Sequence, residues 1–253
     1  MQCWYMNGAG NDFMVVDARG MKMDFSQKAK ELCKLTGADG FMAVEESSVA
    51  DFRLHFYNSD GSRGEMCGNG ARCICRFAYE LGIAGEEMTV QTDAGLVPGW
   101  RLSETQYRVK LNQPSVVDLH RKGEVAYVEL GDPGVPHGVM EVENLDWDMA
   151  EALLPMAKSL RHDSAFPKGA NINLYTWLKE DTVRILTFER GVEDYTLACG
   201  TGSASTAVVL KEKGQLPKGK LTLENRGGTL AVEINENGIF LEGPTEIGKV
   251  YEG

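Results

Sequence analysis

The sequence lacks the features that would place it in a membrane or outside the cell. No apolar run in its 253 residues approaches the roughly 20 that a helix needs to cross a bilayer. Its first residues show neither the basic start nor the apolar core of a secretory signal. We therefore expect a soluble, cytoplasmic protein with no membrane partner.

Positive charge is also scarce. Lys and Arg number 26 against 37 Asp and Glu, which leaves a formal net charge of −11. Because nucleic-acid binding relies on clustered Lys and Arg against phosphates, we expect no nucleic-acid partner. A small anionic substrate would have to be bound by individual, locally placed groups.

Cysteine is present, but without the spacing of a metal site or a disulfide framework. There are six cysteines, and without an export signal we expect them to be reduced thiols. Cys67, Cys73 and Cys75 form no Cys-x-x-Cys pair with a matching distal pair, so no metal is predicted. Cys73 and Cys75, together with Cys3 and Cys33, are expected to be small buried side chains.

Two segments combine a Gly-rich turn with a helix that starts directly after it. The first runs from Cys67 to a stop at Gly82 and the second from Cys199 to a stop at Gly214, and both begin Cys-Gly-x-Gly. The remaining pattern predicts strands, in short alternating or apolar runs, at 13–17, 52–57, 88–91, 107–111, 125–130, 183–188, 221–223, 230–234 and 239–241. The sequence therefore predicts an α+β fold that is rich in strands.

The two Cys-Gly-x-Gly turns start 132 residues apart, at 67 and 199, which is about half the chain length. This spacing predicts internal duplication, and an Asn before a strand-like run, at Asn11 and again at Asn171, adds weak support. The Asn-Gln-Pro-Ser stretch at 112–115 is the expected crossing point between the halves. Two facing halves would place a ligand-binding cleft between them.

Paired cysteines at helix starts predict a particular chemistry. The unpaired amides and the positive end of the helix dipole favour a thiolate, so we expect the pKa of both thiols to be lowered. Racemisation needs a base on one face of the α-carbon and an acid on the other, which two such thiols can supply. The glycines allow backbone amides to approach a substrate carboxylate closely.

These motifs resemble those of the diaminopimelate epimerase family over nearly the whole length. The matching segments, in order, are 6–13, 58–62, 66–70, 135–137, 171–173, 189–192 and 198–202. The resemblance implies two pseudosymmetric domains, each a curved, mostly antiparallel sheet wrapped around a central helix, with the active site in the cleft between them. Residues 1–113, with a returning strand at about 246–253, would form the first domain, and 114–245 the second.

The resemblance also implies what the residues do. It implies an isomerase of a small amino acid that uses no pyridoxal phosphate or other cofactor and forms a homodimer. Cys67 and Cys199 would be the acid and base. The α-carboxylate would be held by Gly68, Asn69, Gly200 and Thr201, the α-ammonium by Glu189, and the far end of the substrate by Asn11, Asn58, Asn173 and Arg190. His137 is a candidate accessory residue, and a purely structural role for it stays open.

Three positions depart from the family pattern: Asn7, Gly40 and Tyr195. They concern details of the pocket, so two alternatives stay open beside a diaminopimelate epimerase of lysine and peptidoglycan precursor synthesis. One is a racemase of another acyclic amino acid, of the histidine or glutamate type. The other is a non-catalytic homologue that only binds such a ligand.

Overall fold

A computed structural model describes residues 1–64 and 67–252. Within these residues the chain forms 17 strands and four α-helices, and none of the helices is long and apolar enough to cross a membrane. Met66, the first residue of one quoted motif, and Gly253, at the end of the expected returning strand, lie outside the described residues. The chain divides into two compact units, residues 1–110 with 242–253, and residues 111–241.

The first unit contains two helices and most of the N-terminal strands. Its elements are β1 (Gln2–Gly8), β2 (Asn11–Asp17), α1 (Ser26–Thr36), β3 (Gly40–Glu45), β4 (Phe52–Asn58), α2 (Gly68–Glu80), β5 (Glu87–Thr92), β6 (Gly95–Arg101) and β7 (Gln106–Leu111). Helix α2 packs on β1, β2 and β6, and its residues from Gly68 to Ala78 are all buried. A separate apolar cluster under α1 includes Phe25, Phe41 and Tyr57.

The second unit continues the chain with two further helices. Its elements are β8 (Pro114–Lys122), β9 (Val125–Gly131), β10 (Gly134–Glu141), α3 (Ala150–Arg161), β11 (Asn171–Lys179), β12 (Thr182–Glu189), β13 (Asp194–Tyr195), α4 (Gly200–Glu212), β14 (Lys220–Asn225), β15 (Gly228–Asn235) and β16 (Gly238–Pro244), the last of which crosses the second boundary. Helix α4 packs on β9, β10, β11 and β15. The last strand, β17 (Glu246–Glu252), belongs to the first unit, where it pairs antiparallel with β1.

The order of strand pairing is the same in both units. In the first, the pairs β1–β2, β3–β4 and β5–β6 are antiparallel, and β2–β3 and β4–β5 are parallel. In the second, β9–β10, β11–β12 and β14–β15 are antiparallel, and β10–β11 and β12–β14 are parallel. Parallel pairs need a crossover, which each helix supplies in turn. This order puts α2 and α4, the two helices that follow the cysteines, at equivalent places.

The structure confirms the two predicted helices and a strand at each of the nine predicted runs. It also adds elements that were not predicted and corrects one expectation. Helices α1 and α3 were not predicted. The pair Asn11 and Asn171 does not support a duplication, because Asn11 begins β2, whereas Asn171 begins β11, whose counterpart is β3. The strand pairing itself is the stronger evidence of a repeat.

Candidate active site

Cys67 is the N-cap residue of α2. Its backbone is extended, and its Sγ accepts the amide of Gly70 at 3.3 Å. The side chain is partly exposed, in contrast to the other five cysteines, which are buried. A thiol in this place receives an amide that has no acceptor within the helix, which favours its thiolate form.

Asn69 and Asn11 are brought together beside this helix start. The Asn69 amide nitrogen donates to the Asn11 side-chain oxygen at 2.5 Å, and Asn69 itself is 1% exposed. The Asn11 amide nitrogen in turn donates to the Asp39 carboxylate at 3.3 Å, which also accepts the backbone amide of Asp12 at 3.0 Å. Asp39 is a residue that the sequence analysis missed, and it orients Asn11.

Asn58 lies at the exposed end of β4, where its amide donates to the hydroxyl of Ser62 at 3.0 Å. Gly40 faces Asn58 across the β3–β4 ladder. A Cβ at Gly40 would lie 2.7 Å from the ring of Phe56, so this ring takes the space that a side chain at position 40 would need. Asn7 bridges the β1–β2 turn, because it donates to Asp12 at 2.8 Å and accepts from the amide of Gly10 at 3.1 Å.

Cys199 is the N-cap residue of α4 and repeats the arrangement of Cys67. Its Sγ accepts the amide of Gly202 at 3.3 Å and lies 3.5 Å from the hydroxyl of Thr201. Gly200, the first residue of the helix, is buried, and Thr201 is partly buried. The third residue after each cysteine is therefore a glycine whose amide contacts the sulfur.

The expected lowering of the pKa is wrong for Cys199. Burial raises the pKa of this thiol well above its ordinary value, and the negative charge of Glu189 raises it further. The Thr201 hydroxyl and the Gly202 amide act in the opposite direction but do not offset these effects. At neutral pH, Cys199 is therefore a protonated thiol, able to act as an acid.

Glu189 ends β12 and Arg190 follows it, and the two residues have different surroundings. The Glu189 carboxylate accepts the hydroxyl of Thr196 at 2.7 Å, and it also hydrogen bonds to Cys199. Arg190 is exposed, and its guanidinium donates to the carbonyl of Lys168 at 3.0 Å. The Arg190 amide donates to the side chain of Asn171 at 2.8 Å. The two neighbours therefore have different partners, which favours separate roles.

Asn171 is a second residue that the sequence analysis missed. Its side-chain nitrogen donates to the carbonyl of Pro136 at 3.2 Å while its oxygen accepts from Arg190, so it ties the strand of His137 to Arg190. The sequence signal for Asn171 is an Asn at the start of a strand, within the matching segment 171–173. Asn171 is 7% exposed.

Asn173, in contrast, is fully buried, and both the nitrogen and the oxygen of its side-chain amide have hydrogen-bond partners. The nitrogen donates to Nδ1 of His137 at 3.1 Å and to the carbonyl of Gly138 at 3.0 Å, and the oxygen accepts the hydroxyl of Thr187 at 3.0 Å. This geometry does not support the expected contact with substrate. Asn173 positions His137 instead, and His137 is itself fully buried.

Tyr195, the third departure from the family pattern, packs edge-on against Phe188 with ring centroids 5.7 Å apart. Its hydroxyl is buried and has no hydrogen-bond partner among residues 1–64 and 67–252. Burial raises its pKa to about 12, so the phenol stays neutral. Tyr195 therefore contributes apolar packing against Phe188, which is also its partner in the β12–β13 ladder.

Comparison with known proteins identifies the family. The family model described as diaminopimelate epimerase matches residues 3–117 and 131–248, which include both cysteine motifs. The chain belongs to the diaminopimelate epimerase family. The diaminopimelate epimerase of Aquifex aeolicus is 36% identical over 276 residues, covering 100% of this chain and 97% of its own. That of Archaeoglobus fulgidus is 33% identical, covering 98% and 94%.

Solved structures share the fold at much lower identity. A phenazine biosynthesis protein of the PhzF family from Bacillus anthracis matches with a TM-score of 0.78 at 17% identity, over 100% of this chain and 98% of its own. A hydroxyproline epimerase from Agrobacterium vitis matches with a TM-score of 0.70 at 16% identity, over 99% and 91%. The mixed, strand-rich fold is therefore one that the diaminopimelate epimerase family has in common with more distant proteins.

Proposed function

We propose that this chain interconverts LL- and meso-diaminopimelate by two-base proton transfer at the α-carbon, in lysine and peptidoglycan precursor synthesis. Membership of the diaminopimelate epimerase family, across nearly the full length, supports this substrate. The observation that carries the mechanism is the repeated helix start, in which Cys67 and Cys199 each accept the amide of a glycine at 3.3 Å. We infer that duplication produced the two units, since their strands pair in the same order.

We infer a direction of transfer from the protonation state of Cys199. The raised pKa of Cys199 supports its role as the thiol that gives a proton. Cys67, as thiolate, would take the α-proton of the LL isomer, and the Cys199 S–H would deliver a proton to the opposite face. The step ends with a Cys67 thiol and a Cys199 thiolate, so the reverse reaction starts from that state.

Charge develops on the α-carboxylate as the α-proton leaves. Backbone amides at Gly68, Asn69, Gly200 and Thr201 are the first of their helices, where the helix has no acceptor for them, and we assign them to this carboxylate. Glu189 would take the α-ammonium group. This arrangement needs no cofactor, because the amides supply the stabilisation that an electron sink would otherwise provide.

The far end of diaminopimelate carries a second ammonium and a second carboxylate. We assign the carboxylate to Arg190, whose exposed guanidinium can form a bidentate pair, and the polar contacts to Asn11 and Asn58. Asn171, which holds the Arg190 backbone, takes the place that the sequence analysis gave to Asn173. We further propose a cytoplasmic homodimer, which the family resemblance supports and light scattering in solution would test.

Solvent deuterium uptake at the α-carbon tests the proposed function. Incubated in deuterium oxide with LL-diaminopimelate, the purified chain should incorporate deuterium and form the meso isomer. Cys67→Ser and Cys199→Ser should each lose most turnover, whereas Cys33→Ala, at a buried thiol of α1, should keep it. Near-normal turnover in either serine variant would contradict the two-base scheme.

The same assay separates the alternatives. A panel that includes L-histidine and L-glutamate would show deuterium uptake from another amino acid if the chain is a racemase of that type. Binding of diaminopimelate in calorimetry with no deuterium uptake from any member of the panel would indicate a non-catalytic homologue. Either outcome would overturn the proposed substrate or activity.

A further inference from the structure

Arg72 is a buried cation that the proposed mechanism does not use. It lies in α2, one turn after Gly68, and its side chain is fully buried. One guanidinium nitrogen, Nη1, donates to the carbonyl of Gly68 at 3.2 Å. The other two, Nε and Nη2, are buried and have no hydrogen-bond partner among residues 1–64 and 67–252. Only one of the three guanidinium nitrogens therefore has an acceptor in the described part of the chain.

The position is unfavourable for a cation on two counts. Burial removes the guanidinium from water, and the first turns of a helix carry the positive end of its dipole. Burial lowers the pKa of Arg72 to about 10, so the side chain is still charged at neutral pH. A buried charge normally persists because an opposite charge lies near it.

The acidic groups that act on Arg72 are all thiols. They belong to Cys73, Cys67 and Cys75, and negative charge on any of them would favour the charged guanidinium. Cys73 and Cys75 are fully buried, and burial raises the pKa of each to about 12 even with Arg72 beside them. They therefore stay neutral near pH 7, and Cys67, partly exposed at the N-cap, is the thiol that can become an anion.

Two other charged groups near this helix start have partners of their own. Asp12 of β2 and Arg76 of α2 both act on Cys73. Asp12 accepts from Asn7, while Arg76 donates to the carbonyl of Thr245 and forms an ion pair with Glu80 at 3.6 Å. Arg76 thus has a carboxylate partner, whereas Arg72 has none in the described part of the chain.

The second helix start differs from the first at this position. Arg72 is the fifth residue after Cys67, and the fifth residue after Cys199 is Ala204, which is also fully buried. The two N-caps share the sulfur to glycine amide distance of 3.3 Å. The helix that follows Cys199 therefore has no cation at the equivalent place, while Glu189 adds a negative charge near Cys199.

We propose that Arg72 is a positioning residue that holds Cys67 as a thiolate, whereas Cys199, which is buried beside Glu189 and has Ala204 at the equivalent place, stays a thiol. This inference rests on the proposed function for its catalytic meaning. It gives a reason why two cysteines that each cap a helix start and accept a glycine amide begin the reaction in opposite protonation states. It also gives the buried, unpaired guanidinium an anionic partner.

The pH dependence of Cys67 alkylation tests the proposal. Iodoacetamide modification, followed peptide by peptide with mass spectrometry, gives the midpoint at which Cys67 becomes a thiolate. In the unmodified sequence this midpoint should lie below the value of about 8.5 for a free thiol. A midpoint at or above that value would overturn the proposal without any variant.

Substitutions then isolate the charge. Arg72→Gln should raise the midpoint by about one pH unit or more, which is a roughly tenfold loss of thiolate near neutral pH. Arg72→Lys should restore most of the difference, since it returns the charge. Arg76→Gln is the matched control: it removes an arginine from the same helix, so it should lower thermal stability without moving the Cys67 midpoint. An unchanged midpoint in folded Arg72→Gln, or equal shifts in the two glutamine variants, would contradict the role.

Failure of this inference can be told apart from failure of the proposed function. If deuterium uptake from LL-diaminopimelate is normal in the unmodified chain and Arg72→Gln shifts neither the alkylation midpoint nor the acid limb of kcat/KM, only the role of Arg72 is wrong. If the chain takes up no deuterium while Arg72→Gln still shifts the alkylation midpoint, the proposed activity is wrong. The role of Arg72 in holding Cys67 as a thiolate is then still supported.

Discussion

Asn173 donates a side-chain hydrogen to Nδ1 of His137 across 3.1 Å, and this bond decides the form of the histidine. The same amide nitrogen also donates to the carbonyl of Gly138, which fixes the orientation of the amide. Because Nδ1 must accept, the neutral ring carries its hydrogen on Nε2. Nε2 is buried and has no hydrogen-bond partner in the described part of the chain.

The neutral form of His137 predicts a pH-dependent stability. Burial, and the positive charge of Arg190, lower the pKa of His137 from 6.5 to about 3. Since the folded pKa is below the unfolded one, the unfolded chain takes up a proton first as pH falls. Stability should therefore decrease below about pH 6.5, with a limiting slope of about 1.4 kcal/mol per pH unit, until the folded ring titrates.

Urea unfolding at a series of pH values measures this effect. His137→Gln should reduce the slope between about pH 6 and pH 4, where the unfolded histidine is charged and the buried one is not. His120→Gln serves as the control, because His120 is exposed and its replacement should leave the slope unchanged. Equal slopes in His137→Gln and in the unmodified chain would show that His137 does not carry the dependence.

The glycines that follow the two cysteines should differ in their tolerance of a methyl group. At Gly202 a Cβ would overlap the side-chain oxygen of Asn173 and lie 3.2 Å from the hydroxyl of Thr187. At Gly70 the nearest atoms, in Met42 and Phe13, lie at 3.5 Å, an ordinary contact. Gly202→Ala should therefore destabilise the fold by roughly 1–3 kcal/mol and reduce turnover, because it disturbs the residue that positions His137.

Gly70→Ala is the matched comparison. It should change stability by less than about 1 kcal/mol and can even stabilise, because alanine favours the helix over glycine. Chemical denaturation measures the stability of both variants, and deuterium uptake measures their turnover. A Gly202→Ala variant as stable as Gly70→Ala would show that the Asn173 region relaxes without cost.

Two substitutions should move the pKa of Cys199 in opposite directions. Glu189→Gln removes the negative charge beside the thiol, so the pKa should fall and alkylation of Cys199 should begin at lower pH. Thr201→Val removes the hydroxyl that lies 3.5 Å from the sulfur and favours its thiolate, so the pKa should rise. Mass spectrometry of the Cys199 peptide across a pH series measures both, and shifts of the same sign would contradict the assigned causes.

Local patterns in the sequence were enough to locate the two helices that begin at cysteines. Helix starts and stops depend on neighbours in the chain, so a Gly-rich turn and a terminal glycine identify α2 and α4 without knowledge of their partners. The alternating strands were found for the same reason. Helix α1 has no side-chain cap at its start, and α3 contains Pro155 and follows a short 3-10 turn, so these helices offered weak local signals.

The sequence by itself determined the family and the two helix starts at cysteines, and it predicted candidate residues around them. Only the tertiary structure decided how those residues are charged and held. The raised pKa of Cys199, the neutral ring of His137 and the unpaired guanidinium of Arg72 all follow from burial, which depends on what packs against a side chain. Asn173 shows the same limit: its motif suggested a substrate contact, and its three internal hydrogen bonds assign it to the support of His137.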